Sequence, residues 1–266
     1  MTEKPLILSP SRINMFERCQ MQYFYREVEG RKTPPGIALV IGGSVDASAN
    51  VDLQSKVDTG ALLPLDAVQT AARDHLENEW AGGVQQEPDE PAEKGDVIDL
   101  TVRLATLHHE AVAPLRKPIE VQKAFGVQVS ESVVLTGHID CLEADAVVDT
   151  KTINKTPSKI KGDHMVQTQL YAVGVKVNGG ELPKEVKLDY LVKNKTVKAE
   201  LLRAPVTPES AQNALDRLSV TARVIQTALK TGDFMPAPAD SWCCQSKFCG
   251  YFDEICPMGK RAQTQG

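Results

Sequence analysis

The sequence has no long apolar run. Nothing approaches the roughly 20 consecutive residues a membrane span needs, and Leu6-Ile-Leu8 is too short for the apolar part of a secretory signal. No excess of basic charge is present either: 30 Lys and Arg face 35 Asp and Glu, for a net charge of -5, so no global field draws the chain to nucleic acid or anionic lipid. There is no Gly-Lys-Ser/Thr phosphate loop, which argues against a built-in ATPase motor, and no nucleophile motif for Ser-His-Asp catalysis. Internal repeats are absent. Gly 18 and Pro 16 in 266 residues are too few for a collagen-like or low-complexity chain. A cytoplasmic, soluble protein away from membranes is expected, long enough to bury a full core.

The six Cys are unevenly placed. Cys19 and Cys141 stand alone, whereas Cys243, Cys244, Cys249 and Cys256 fall within the last 24 residues. In a reducing compartment such clusters are metal ligands more often than disulfides. Three tail thiolates plus Cys19 make four, which suits tetrahedral zinc or an iron–sulfur cluster. Adjacent Cys243 and Cys244 point in different directions, so one of them is a spare.

Helical patterns cover residues 9–29, with Ser9 as N-cap, Pro10 in the first turn and Gly30 at the end. The apolar run Gly36 to Gly43 leads into 44–58. Further helices are expected at 66–80 and 97–113, the latter stopped by Pro114. Between them, the acidic stretch 81–96 is expected to be disordered. Strands rich in Val and Ile follow at 119–128, 133–143 and 146–152, then a helix at 163–177, strands at 186–193 and 196–203, and a helix from Thr207-Pro208 to Gly232. The fold class is α/β, a mixed central sheet flanked by helices. It forms one elaborated domain: a mainly helical part (1–116), a sheet core (117–206), and a C-terminal helix with a Cys-rich tail (207–266).

The strands at 133–143 and 146–152 form a hairpin turning at Ala144-Asp145, which sets residue 140 opposite residue 149. Strand alternation then puts Asp140, Asp149 and Lys151 on one face. Directly opposed residues have β-carbons about 5 Å apart, where like charges are unfavourable. A divalent cation removes that cost by taking both carboxylates as hard oxygen ligands, and Lys151 beside it can donate to water or phosphate. Such a site suits metal-assisted phosphodiester hydrolysis. The alternative is a surface hairpin with incidental charge, but both acids lie inside apolar runs.

Gly137-His-Ile-Asp140 followed by Val147-Val-Asp149-Thr-Lys151 resembles the core signature of the PD-(D/E)XK nuclease superfamily. More narrowly, the chain resembles RecB-type exonucleases with a C-terminal iron–sulfur cluster, including CRISPR-associated and phage-encoded members. Leu8-Ser-Pro-Ser-Arg-Ile13 leading to Cys19 and Tyr23-Phe-Tyr25 is similar to their opening helix. Gln167-Thr-Gln-Leu-Tyr171, Gly232-Asp-Phe-Met-Pro236, and Trp242 through Cys249 to Cys256-Pro resemble their later motifs.

The resemblance implies Asp140, Asp149 and the Thr150 carbonyl as ligands of Mg²⁺ or Mn²⁺, with Lys151 positioning water and stabilising phosphate charge. Gln167 and Tyr171, at i and i+4, would face the site or the DNA, the alternative being a helix face packed on the sheet, and Glu120 is a weaker acidic candidate. Where relatives carry a metal-binding His, this sequence has Asp46, either a further metal ligand or a helix cap. A [4Fe-4S] cluster would be held by Cys19, Cys244, Cys249 and Cys256, leaving Cys243 and Cys141 as spares. His138 is left outside the site. The implied substrate is DNA, single-stranded or at ends, with recombination or CRISPR proteins as possible partners.

Lysines at 151–161 and 184–198 offer local basic surface for that substrate. Tyr23, Phe24 and Tyr25 are candidates for base stacking or for core. The competing functions are a DNA-binding accessory module with the same fold and little cleavage, and a zinc-stapled protein whose Asp-Asp-Lys set is structural.

Overall fold

A computed structural model describes residues 5–86 and 92–259. The acidic stretch expected to be disordered falls partly on residues 87–91, outside the described residues. From Lys94 onward it is helix.

Six strands build one mixed sheet: β1 (Leu6–Leu8), β2 (Glu120–Ser130), β3 (Val133–Leu142), β4 (Ala146–Ile153), β5 (Glu185–Val192) and β6 (Lys198–Pro205). Their order is β1-β3-β4-β5-β6, with β2 paired to β3 as well. It is covered by α1 (Pro10–Arg18), α2 (Gln20–Tyr23), α3 (Ile37–Thr59), α4 (Leu65–Ala81), α5 (Lys94–Leu107), α6 (Gly162–Val177) and α7 (Pro208–Thr231). The main core joins α1, α6 and α7 to the sheet through Ile13, Leu135, Leu170, Leu188 and Ile225. A second core, with Val45, Leu76, Leu104 and Leu191, packs α3, α4 and α5 on the sheet. Both faces of β4 and β5 are therefore covered. This explains their near-continuous apolar sequences, as parallel neighbours bridged by α6.

Local signals account for most boundaries. Ser9 accepts from the Arg12 N–H at the start of α1, and Thr207 and Ser210 form a reciprocal capping box on α7. Gly60 and Gly232 end α3 and α7 in the left-handed conformation that only glycine adopts freely. Three departures stand out. The expected 9–29 helix breaks at Cys19, whose backbone is extended, and finishes as a π-helical turn at Phe24–Val28. The 97–113 helix is α-helical only to Leu107. It then widens into a π turn, His108–Val112, and passes through Pro114 in a short 3-10 turn, where a missing N–H is harmless. Strand β1 was not expected, because three residues carry no readable period.

Candidate active site

The site arises where β3 changes partners along one edge. Its first residues pair with β1 in parallel, Leu6 to Val133 through Leu8 to Leu135. Its last pair antiparallel with β4, Cys141 to Val148 and Leu142 to Val147. That register is the expected one and, extended one step, sets Asp140 against Asp149. The ladder stops short of that step, so β3 and β4 splay into a fork. In place of a strand partner, the Thr150 N–H reaches the Asp140 carboxylate, 3.4 Å from Oδ2. A strand residue presents its N–H and C=O to the same edge, so the Thr150 carbonyl faces the fork too.

Asp149 is fully buried. The Lys151 ammonium lies 2.8 Å from its Oδ1 and 2.7 Å from its Oδ2. From α6, Gln167 Nε2 donates to Asp149 Oδ1 at 3.1 Å and to the Tyr171 hydroxyl at 2.6 Å. Tyr171 is itself fixed edge-on against Phe125, ring centroids 5.7 Å apart. That contact requires two glycines: a Cβ on Gly174 would lie 2.5 Å from the Phe125 ring, and one on Gly137 2.8 Å from it.

The charges are strongly coupled. Burial pushes the Asp149 carboxyl up to about 6, with Lys151 opposing and Asp140 adding to the shift. Burial likewise raises Asp140, opposed by Lys151, the Thr150 N–H and Gln122. Asp46 is raised well above the usual carboxylate range by burial and then by the Asp140 charge. Lys151 is disfavoured by burial, yet Asp149 and Asp140 outweigh that and hold it charged. Thus Asp46, Asp140, Asp149, Lys151, Gln167 and Tyr171 belong to one cluster. Asp46 lies mid-helix in α3, so it is not a cap. The helix approaches β4 closely because Gly42 has no side chain: a Cβ there would sit 3.3 Å from Thr152 Oγ1.

Glu120 is exposed and pairs with Lys123, opposite Leu142 rather than Asp140. His138 is solvent-exposed. Two residues that the sequence did not single out do join the site. Gln122 adopts φ 52 and places Nε2 3.4 Å from Asp140 Oδ1. His164, one turn before Gln167, holds the Tyr190 hydroxyl at 2.9 Å, and its pKa is lowered by burial. Nothing in spacing announces Gln122. His164 was findable as the i−3 neighbour of Gln167 on one helix face.

A Mg²⁺ or Mn²⁺ ion fits this donor set. Asp149 Oδ2 is buried and met only by the Lys151 ammonium, and the buried carboxyls carry a burial and repulsion cost that a hard divalent cation would remove. Among the described residues, no three His, Cys, Asp or Glu side chains lie close enough together to hold a metal as they stand. The Lys151 ammonium supplies the neutralising charge instead.

The family model of the PD-(D/E)XK nuclease superfamily matches residues 7–257. The chain belongs to this superfamily. PD-(D/E)XK nucleases are metal-dependent and generally use Mg²⁺ or Mn²⁺. Among solved structures, a protein from Eubacterium rectale with a provisional exonuclease designation aligns with a TM-score of 0.57 and 14% identity, over 96% of this chain and 87% of that one. At that identity the likeness concerns the fold. A second, SSO0001, is 13% identical over 97% and 88% of the two chains, with a TM-score of 0.41, too low to establish a common fold. No curated protein matches the chain.

Outside the PD-(D/E)XK fork, the Cys-rich tail folds back on the first helices. Tyr251 donates to the Arg31 carbonyl at 2.6 Å, Tyr25 donates to the Ile255 carbonyl at 3.4 Å, and the two rings lie 5.3 Å apart. Burial, then repulsion from Cys243 and Cys19, pushes the Cys244 thiol up to about 11. Cys249 is also raised to about 11, by burial and by Cys19, Cys256 and Cys243. The tail and Cys19 are thus close enough to feel one another, and all six Cys are free. Cys244 and Cys249, whose ionisation neighbouring thiols oppose, are the pair a soft metal would stabilise as thiolates, although no three Cys side chains among the described residues lie close enough to hold one as they stand. Cys243 is in the same neighbourhood, so geometry does not separate it from Cys244. Cys141 lies elsewhere, buried in the β3–β4 core with its pKa pushed up to about 12 by burial.

The basic stretches divide. Lys155, Lys159 and Lys161 are exposed on the loop leaving β4, and Lys193 and Lys195 leave the adjoining end of β5, where the Lys193 N–H bonds the Ile153 carbonyl at 2.7 Å. Lys184 and Lys187 lie at the opposite end and pair with Asp145 and with Glu143 and Glu185. Tyr23 and Tyr25 are buried, so they are core rather than a base-stacking surface. No helix among the described residues is long and apolar enough to cross a membrane.

Proposed function

We propose that this PD-(D/E)XK protein is a DNA exonuclease of the RecB type, acting on single-stranded or resected ends in recombination, repair, or phage or CRISPR DNA processing. The observation that carries the reading is the placement of Asp140, Asp149, Lys151 and Gln167 together at the β3–β4 fork, beside exposed lysines at the ends of β4 and β5.

Asp46, Asp140, Asp149 and the Thr150 carbonyl would hold Mg²⁺ or Mn²⁺, which supplies Lewis-acid polarisation of the phosphate and acidifies a bound water. The chain's own contributions are positional. Lys151, kept charged by Asp149 and Asp140, is aimed where negative charge grows on the phosphate. Gln167 fixes Asp149 Oδ1 and leaves Oδ2 to the Lys151 ammonium alone. Phe125 and Tyr171 hold Gln167 in turn.

We assign the tail thiols Cys244, Cys249 and Cys256, with Cys19, to a [4Fe-4S] cluster whose role is to staple the tail to the first helices around the DNA path. Recombination or CRISPR proteins are the partners in this reading, and the nucleoid or a phage-infected cytoplasm is the place.

The test is cleavage of end-labelled single- and double-stranded DNA by anaerobically purified protein with Mg²⁺ or Mn²⁺, beside Lys151→Ala. Metal-dependent degradation from ends, lost in the variant, is expected. A folded, metal-supplied protein that binds DNA without cutting it would instead favour the accessory-module function. The excess carboxylate, Asp46, is the feature that would explain that result.

A further inference from the structure

Asp46, Asn50, Gln54 and Asp58 follow one another at four-residue intervals along α3, so they form a row on one helix face, advancing about 6 Å per step. The row starts in the carboxylate cluster and continues into a cleft of about 600 Å³ between α3 and β2, lined by Asn50, Gln54, Asp58, Leu63, Val121 and Gln122 among others. That volume falls within the ~300–1,000 Å³ typical of small-ligand clefts.

Gln122 joins the cleft to the reaction centre. It is the one non-glycine residue with positive φ among the described residues, a conformation that persists only where the surroundings hold it. Its amide touches Asp140 Oδ1, so the cleft and a catalytic carboxylate share a wall.

The lining contains no Lys, Arg or His, so the cleft does not suit a phosphate. It offers three primary amides, each able to donate and accept, beside the apolar side chains of Leu63 and Val121. Gln54 Nε2 is engaged by Asp58 Oδ1 at 2.8 Å, which leaves its carbonyl oxygen as an acceptor. Flat apolar contact with an edge of mixed donors and acceptors is what a nucleobase needs.

We propose that this cleft is a nucleoside subsite, taking the base and sugar of the terminal nucleotide whose phosphate lies at the fork. The inference rests on the nuclease reading and adds where the strand end is held. Lysines at the far ends of β4 and β5 would hold the rest of the strand, so DNA would cross the fork from the basic loops to the amide cleft.

Binding of two fluorescent single-stranded oligonucleotides, one with an intact terminal nucleotide and one lacking the terminal base, tests it by anisotropy without divalent metal. The wild-type protein is expected to bind the intact end about tenfold more tightly, the worth of one or two hydrogen bonds and a base contact. Asn50→Ala/Gln54→Ala should bring the ratio close to one. These are exposed or half-exposed helix positions where Ala is well tolerated. Should that variant fail to fold, the volume-conserving Asn50→Asp is expected to lower the ratio as well.

Equal wild-type affinity for both ends, no binding of either, or an unchanged ratio in the folded variants overturns the subsite. Cleavage by Lys151→Ala is read in parallel. Cleavage that survives in that variant overturns the nuclease site itself, whereas cleavage that is lost, together with a ratio of one in the wild type, removes only the subsite.

Discussion

Lys151 lies over the carboxylate of Asp149, two residues earlier on the same strand, within 2.8 Å of both oxygens. The pair is a charged contact against a fully buried acid. Removing the ammonium leaves Asp149 buried with one fewer counter-charge, so its carboxyl should take up a proton at neutral pH. Lys151→Ala is therefore expected to slow cleavage by about 10²–10³-fold without unfolding the protein. Single-turnover cleavage beside circular dichroism checks both halves.

The raised Asp149 pKa also sets a stability profile. With a folded value of about 6 against about 3.9 when unfolded, the native state holds the extra proton between those values. Stability from this group is therefore lost as pH rises from about 4 to about 6. Metal-free wild type should lose more stability than Asp149→Asn over that interval. Urea melts at pH 4.5 and 6.5 measure it, and parallel slopes for the two proteins would contradict the shift. Added Mg²⁺ or Mn²⁺ should raise Tm more at pH 7 than at pH 5, because ligation competes with the proton.

Gly174 has Phe125 against it so closely that no Cβ fits at 2.5 Å. Gly174→Ala must push the ring off Tyr171, and overpacking of this kind costs roughly 1–3 kcal/mol. Because Tyr171 positions Gln167, the variant should lose activity beyond its loss of Tm. An exposed control such as Gly95→Ala, where a Cβ meets nothing within 4 Å, should do neither.

Protein purified without oxygen is expected to be brown, with broad visible absorbance that disappears in Cys249→Ser along with several degrees of Tm. A colourless protein containing zinc would keep the thiol site and change its metal. Cys141, buried and hard to ionise, should resist thiol reagents in the native state whatever the tail holds.

The sequence made the centre of the site legible because strand parity is rigid. A period of two puts Asp149 and Lys151 on one face, and the short turn at Ala144-Asp145 fixes Asp140 opposite. Asp46 came from resemblance alone, since nothing in the 37–59 helix pattern says which of its polar residues meets the sheet. The small residue Gly42 allows that meeting, and its effect appears only once β4 is in place. Gln122 was invisible because its left-handed backbone is imposed by tertiary surroundings rather than by residue type. The break at Cys19 is of the same kind, as the helical pattern runs through it. Strand β1 was lost to brevity.

That short strand has a temporal consequence. Leu6, Ile7 and Leu8 pair with Val133, Val134 and Leu135, more than a hundred residues downstream, and the tail returns to Tyr25 and Arg31 after more than two hundred. Contacts of such sequence separation close late and slowly. As the chain emerges during synthesis, β1 has no partner until β3 is made, and the fork cannot be completed before then. Strand β1 would therefore settle into the sheet only after the β3 that it pairs with has emerged, and the fork it adjoins would be completed after that.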